Sequence, residues 1–251
     1  MKHNQKKNKS KELKILAFFL AFCIIILSLL IGNTIITDYS EYKEVDDTQE
    51  KIIDDVVETS SNDNQAKEFS INWNKLLSIN GDIVAWIRIP DTAISYPVVQ
   101  GKTNSQYLRK NIYGGYSRGG TPFVSAEQQE PFNCVNTIVY GHNLMNGKIF
   151  AQLKKYKSKD FASKHNMVFV YLPSGEIRKY QVYSFHIVDA SDIQIYNPYV
   201  DSASEYTKAM NKKNILDTDI DVNDSMQVLT MSTCTNNGDD RYVLHAVYNM
   251  K

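Results

Sequence analysis

Cysteine is scarce: the 251 residues hold three, Cys23, Cys134 and Cys234. None is in a C-x-x-C pair, and no two histidines share an H-x-x-x-H spacing, so neither a structural zinc site nor a metal-activated water is expected. A disulfide-dense scaffold is excluded by the same count. A single Cys134–Cys234 bridge would be a thin framework for a chain that is 43% hydrophobic with 16 Tyr and 10 Phe. No glycine-rich phosphate loop occurs, and no basic aromatic face suggests nucleic acid. No cofactor is implied. Internal repeats are absent, and the formal net charge is zero.

That zero hides a lopsided distribution. Residues 1–14 carry Lys2, Lys6, Lys7, Lys9, Lys11 and Lys14 against Glu12 alone. The run "ILAFFLAFCIIILSLLI" follows without a charge, and the apolar stretch 15–36 is long enough to cross a bilayer as a helix. It is longer than a signal-peptide core and no A-x-A-like cleavage site follows, which favours an uncleaved anchor. The lysines put the tail in the cytoplasm and everything after Ile36 outside the cell membrane. Residues 37–68 then carry eleven acidic side chains against three lysines, without Pro or Gly. Such a composition reads as a solvated stalk, with room for a short helix.

The folded domain is expected over 69–251. Phe69, Trp73, Leu76 and Leu77 are spaced for a packing helix. Eight strand-like runs follow: 83–89, 93–99, 121–125, 136–142, 167–172, 176–188, 226–234 and 242–248. Short β runs with turn punctuation predict a mainly β fold, an antiparallel sheet closed as an eight-stranded barrel. Helices are expected at 148–156 and at 202–216, the latter opened by a Ser202/Glu205 capping box. That second helix lies in a long connection, 191–225, before the strand that ends at Cys234. Loops of that length are commonly functional.

What Cys234 does is open on these residues alone: core filler, half a disulfide, or nucleophile. A nucleophilic thiol needs an acid–base partner and an oxyanion donor. Among five histidines, His3 lies on the tail, His165 in a polar turn, and His186 and His245 inside strands. His142 in "VYGHN" exits a strand beside Gly141 and is the best-placed partner. Arg241 opens the strand after Cys234; it reads equally as an oxyanion donor or as a surface arginine near Asp239 and Asp240.

These residues resemble a known family. "TMSTC" (230–234) is similar to the T-L-x-T-C signature of sortases, with Met231 in the Leu position. "INGDIVAWIRIPDTAISYPVVQGKTNSQYL" (79–108) resembles the opening of class B sortases, and the similarity spans about 69–251. The resemblance implies a sortase-type barrel with an N-terminal helical extension and a helix before the Cys strand. It also implies a cysteine transpeptidase on the outer face of a Gram-positive membrane. Its substrates would be secreted surface proteins bearing an x-P-x-T-G or N-P-x-T-N sorting motif. The acceptor would be an amine of a peptidoglycan precursor or stem peptide. Cys234, His142 and Arg241 match the family's catalytic set. The Thr235 N–H is expected to join Arg241 at the oxyanion, while Ser232, Thr233 and Tyr140 flank the site as contacts or as structure. Two readings stand beside this one: a cysteine peptidase or amidase, and a non-catalytic peptide-binding module. Two departures bear on substrate preference. Ser125 stands where class B proteins often have an acidic residue, and the Cys-to-Arg connection "TNNGDD" is short.

Overall fold

The computed structural model describes residues 2–60, 68–192, 194–211, 214–216, 218, 220–235 and 238–250. Part of the expected stalk and part of the "TNNGDD" turn lie outside them. The chain divides into two compact units, Met1–Glu44 and Val45–Lys251.

Helix α1 spans Lys2–Val56, and the first unit lies within its N-terminal part. It carries a window of 18 residues with mean hydropathy 2.6, none of it buried. Phe18, Phe22 and Leu29 stand exposed. Such a helix is long and apolar enough to cross a membrane.

The second unit begins at Val45 rather than at the expected Phe69. The reason is apolar: Val45, Ile52 and Val56 of α1 are buried. Ile52 and Val56 pack with Leu76, Trp86 and Ile112. The acidic side chains of this stretch hide a buried stripe at helical spacing. Next come strands β1 (Val57–Ser60) and β2 (Glu68–Ile71), paired antiparallel. Phe69 therefore lies in a strand, and helix α2 is only Trp73–Ile79. Asn72 starts it by accepting the Lys75 N–H at 3.0 Å.

All eight expected strand runs form the barrel: β3 (Ile83–Arg88), β4 (Ser95–Val99), β5 (Phe123–Val124), β6 (Asn136–Tyr140), β7 (Met167–Tyr171), β8 (Ile177–Asp189), β9 (Met226–Cys234) and β10 (Asp240–Asn249). They close in the order β10-β8-β7-β3-β4-β5-β6-β9. The sheet is mixed, not antiparallel as expected, because β4·β5 and β6·β9 run parallel. Parallel neighbours need crossover connections, and the long segments 100–122 and 141–225 supply them.

The first helical insertion runs on past its expected end, and the second ends earlier among the described residues, with 212 and 213 of the expected 202–216 helix outside them. A 3-10 helix (Ala151–Lys157) leads into α3 (Lys159–Lys164), and α4 covers Ala203–Asn211. Ser202 Oγ accepts the Glu205 N–H at 3.1 Å and donates to Asp224 Oδ1 at 2.8 Å. Ser202 thus ties α4 to the start of the Cys strand. Ala203, Tyr206 and Met210 pack with Val228 and Val243, so the connection covers β9 and β10. This explains why β9 is buried along nearly its whole length.

His245 is fully buried on β10, facing His186, Ser184, Tyr183 and Tyr206. Burial, then the neighbouring His186, push its pKa well below the ordinary value. The unfolded chain therefore binds a proton below about pH 6.5 that the folded one refuses, so stability rises with pH through that window. We expect the urea midpoint of the full chain to fall as pH drops from about 6.5 to about 5, above the range of the carboxylates. His245→Gln should reduce this slope and leave the part due to His142, whose pKa is also lowered by burial; a flat wild-type profile would rule this out.

Candidate active site

The register of three strands assembles the site. β6 and β9 run parallel with Tyr140 opposite Ser232. Two residues further along each chain come His142 and Cys234, at the same end of the barrel. β10 returns antiparallel and sets Arg241 directly across from Cys234. The three side chains, each half-buried, line one cleft of about 360 Å³ together with Leu108, Phe123, Tyr140, Tyr196, Ser232 and Thr233.

Main-chain and side-chain bonds tie the strand ends together. The Gly141 N–H donates to the Ser232 carbonyl at 3.1 Å, and Asn143 Nδ2 donates to the Cys234 carbonyl at 2.9 Å. A Cβ on Gly141 would stand 2.7 Å from Phe150 Cδ2. The glycine beside the histidine is therefore required by the Phe150 ring behind it. The Phe150 N–H in turn donates to the His142 carbonyl at 3.0 Å.

The His142 ring is oriented by its Nε2, 2.8 Å from the Leu108 carbonyl oxygen. Its pKa lies below the ordinary histidine value. Burial is the main cause; the Leu108 carbonyl opposes it, and the Arg109 cation adds to it. Arg241 Nη1 donates to the Gly238 and Asp240 carbonyls at 2.8 and 2.9 Å. Those two bonds fasten the guanidinium to the turn between β9 and β10.

The flanking residues divide. Ser232 Oγ is 2.9 Å from Tyr196 Oη. Tyr140 sits between Phe123 and Tyr196, with ring centroids 5.4 and 5.8 Å away, so an aromatic row lines the cleft. Thr233 Oγ1 is buried with no hydrogen-bond partner among the described residues. The Thr235 N–H donates to the Asp240 carbonyl at 3.0 Å, where it closes the β9–β10 turn. In this arrangement the N–H expected at the oxyanion is engaged in the turn.

Leu108, Tyr196 and Asn143 belong to this site, and the motifs did not single them out. Leu108 acts through its main chain, which leaves no signature. Tyr196 comes from the long connection, where an aromatic residue beside a strand end was the available signal.

All three cysteines are free. Cys134 accepts from Gln128 Nε2 at 3.3 Å and is not part of the cleft lining. Cys134→Ala is expected to change stability by about 1 kcal/mol or less and leave turnover in place. Turnover kinetics check this; a Cys134 variant as inactive as a Cys234 variant would overturn the choice of thiol. Among the described residues no cluster of His, Cys, Asp or Glu could hold a metal ion.

A thiol, an imidazole and a guanidinium around one cleft, on a closed mixed barrel, define by class a thiol enzyme of acyl transfer. The family model for the sortase domain matches residues 87–249. The chain belongs to the sortase family, whose members are cysteine transpeptidases. Its relatives are class B members. Sortase B of Listeria monocytogenes is 33% identical over 162 residues, 63% of this chain and 65% of that protein, just under two thirds of its length. Sortase B of Staphylococcus aureus is 27% identical over 224 residues, 88% of this chain and 89% of that one. The S. aureus sortase B–substrate complex superposes with a TM-score of 0.65 at 26% identity, covering 71% of this chain and 85% of that one.

Proposed function

We propose that this chain is a membrane-anchored class B transpeptidase that joins surface proteins to cell-wall amines. The observation that carries the reading is the strand register that gathers Cys234, His142 and Arg241 around one cleft on a sortase barrel. In the first half-reaction the Cys234 thiolate attacks the carbonyl carbon of the threonine in an x-P-x-T-G or N-P-x-T-N motif. The C–N bond after that threonine breaks, and the departing amine takes a proton from His142. A thioacyl enzyme remains. In the second, neutral His142 takes a proton from the incoming amine of a peptidoglycan precursor or stem peptide as nitrogen attacks the thioester. The new amide forms and the thiolate leaves. Arg241, held across from Cys234, donates to the oxyanion in both halves. The cleft is large enough for several residues of an extended peptide, and its aromatic row suits an apolar or proline-containing segment.

The anchor fits this chemistry. Residues 15–36 would hold the enzyme in the cytoplasmic membrane, with the 1–14 tail inside and the barrel outside. Substrates would then meet the site as they leave the membrane.

The discriminating experiment incubates the full chain, in detergent micelles, with a labelled sorting-motif peptide, with and without triglycine. We expect cleavage after threonine, and ligated product that grows at the expense of hydrolysis as the amine rises. Hydrolysis alone, indifferent to amine, would assign a peptidase instead. Binding with no turnover would assign a peptide-binding module.

A further inference from the structure

The acid–base histidine is oriented by a main-chain group. His142 Nε2 stands 2.8 Å from the Leu108 carbonyl oxygen. A carbonyl has no hydrogen to give, so this contact requires Nε2 to carry the proton. In the neutral ring Nδ1 is then the basic nitrogen, and in the imidazolium Nδ1–H is the proton that leaves. The Leu108 carbonyl fills the position of the third, orienting group that activated nucleophile–base pairs use.

The carbonyl is itself held in place. Gly120 has φ +58, and a Cβ there would stand 2.3 Å from the Tyr107 oxygen, 2.7 Å from the Leu108 oxygen and 2.9 Å from the Leu108 carbonyl carbon. All three atoms are backbone, so no rotamer change relieves the clash. Around this contact the Thr121 N–H donates to the Tyr107 carbonyl at 3.1 Å, the Leu108 N–H to Ser105 at 3.3 Å, and the Ser117 N–H to Arg109 at 3.0 Å. The strap between β4 and β5 is thus bonded on both sides of the one carbonyl that touches the histidine.

We propose that Gly120 is a positioning residue for catalysis: its missing side chain lets the strap seat the Leu108 carbonyl on His142, which fixes the Nε2–H tautomer and commits Nδ1 to proton transfer. This rests on the acid–base reading of His142 given above. The carbonyl also favours the imidazolium, against burial and Arg109. Displacing it removes that support, so the ring should titrate at still lower pH.

The test labels histidine with nitrogen-15 in the full chain in detergent micelles, with the His142 signals assigned by loss in His142→Gln. Ring-nitrogen shifts are then followed against pH. Wild type is expected to show the Nε2–H tautomer at neutral pH. Gly120→Ala should show a tautomer mixture, a ring titration moved to lower pH, and a kcat about a hundredfold lower, the scale of a small misplacement of a reacting group. Gly120→Asn keeps a residue type that tolerates this φ but adds the Cβ. It should behave like Gly120→Ala, which separates the carbonyl contact from backbone strain and covers a poorly folding alanine variant. Wild-type His142 in the Nδ1–H form overturns the proposal. So does a Gly120 variant with wild-type tautomer and titration, whatever its activity. Both readouts are taken without turnover, so they stand or fall separately from the transpeptidase reading.

Discussion

Replacing Cys234 by alanine is expected to lower kcat/KM for a sorting-motif peptide by at least about 10⁴-fold, with the fold unchanged. The size follows from the role. A nucleophile that forms the acyl intermediate has no substitute in the cleft, since the other cysteine of this unit, Cys134, hydrogen-bonds with Gln128 and is not part of the lining. The fold should survive because the substitution trims one sulfur from a half-buried strand end. What ties that end runs through the main chain: the Cys234 carbonyl accepts from Asn143, and β9 pairs in register with β10. Circular dichroism and a denaturation midpoint close to wild type, alongside lost turnover, are the expected pair of results. A variant that unfolds would make Cys234 a packing residue, and one that turns over normally would remove it from the chemistry.

His142→Ala carries the second large effect, a loss of roughly 10²- to 10⁴-fold in kcat from removal of the acid–base group. The pH dependence distinguishes this role from simple shape. Burial and Arg109 hold the His142 pKa below the ordinary value despite the Leu108 carbonyl. At neutral pH the ring is therefore mostly neutral, the form that accepts a proton from the incoming amine. Transfer to amine, corrected for the amine's own protonation, should hold its rate as pH falls to about 6.5 and decline only below it. In His142→Ala that acid limb should vanish from the residual rate. A limb retained at the same pH would assign it to another group.

The eight strands were legible because their apolar runs are short and separated by turn residues. Their directions were not. Alternation has the same period in parallel and antiparallel strands, so nothing in "NTIVY" or "MQVLTMSTC" announced that β6 and β9 run side by side in one direction. That unread feature is what brings His142 level with Cys234. The acidic segment before Phe69 misled for a related reason: Val45, Ile52 and Val56 make a sparse stripe, and the charges around it dominate the composition. Phe69 fitted helical spacing with Trp73 and Leu76, yet pairing with Thr59 placed it in a strand. At the site, Cys234, His142 and Arg241 stood out by residue type and by position at strand ends. The Leu108 carbonyl could not, because every residue has one. Gly141 stood out beside His142, and the neighbour that needs its missing side chain is the Phe150 ring.

In the proposed mechanism Cys234 carries the acyl group between two amines. The direct measurement incubates the full chain in detergent micelles with a sorting-motif peptide and no added amine, quenches in acid, and maps adducts by mass spectrometry after digestion. The expected adduct is the acyl half of the peptide, ending in threonine, as a thioester on Cys234, discharged to the amide when triglycine is added before the quench. An adduct on Cys134, or cleavage with neither an adduct nor an amine-dependent product, would contradict it.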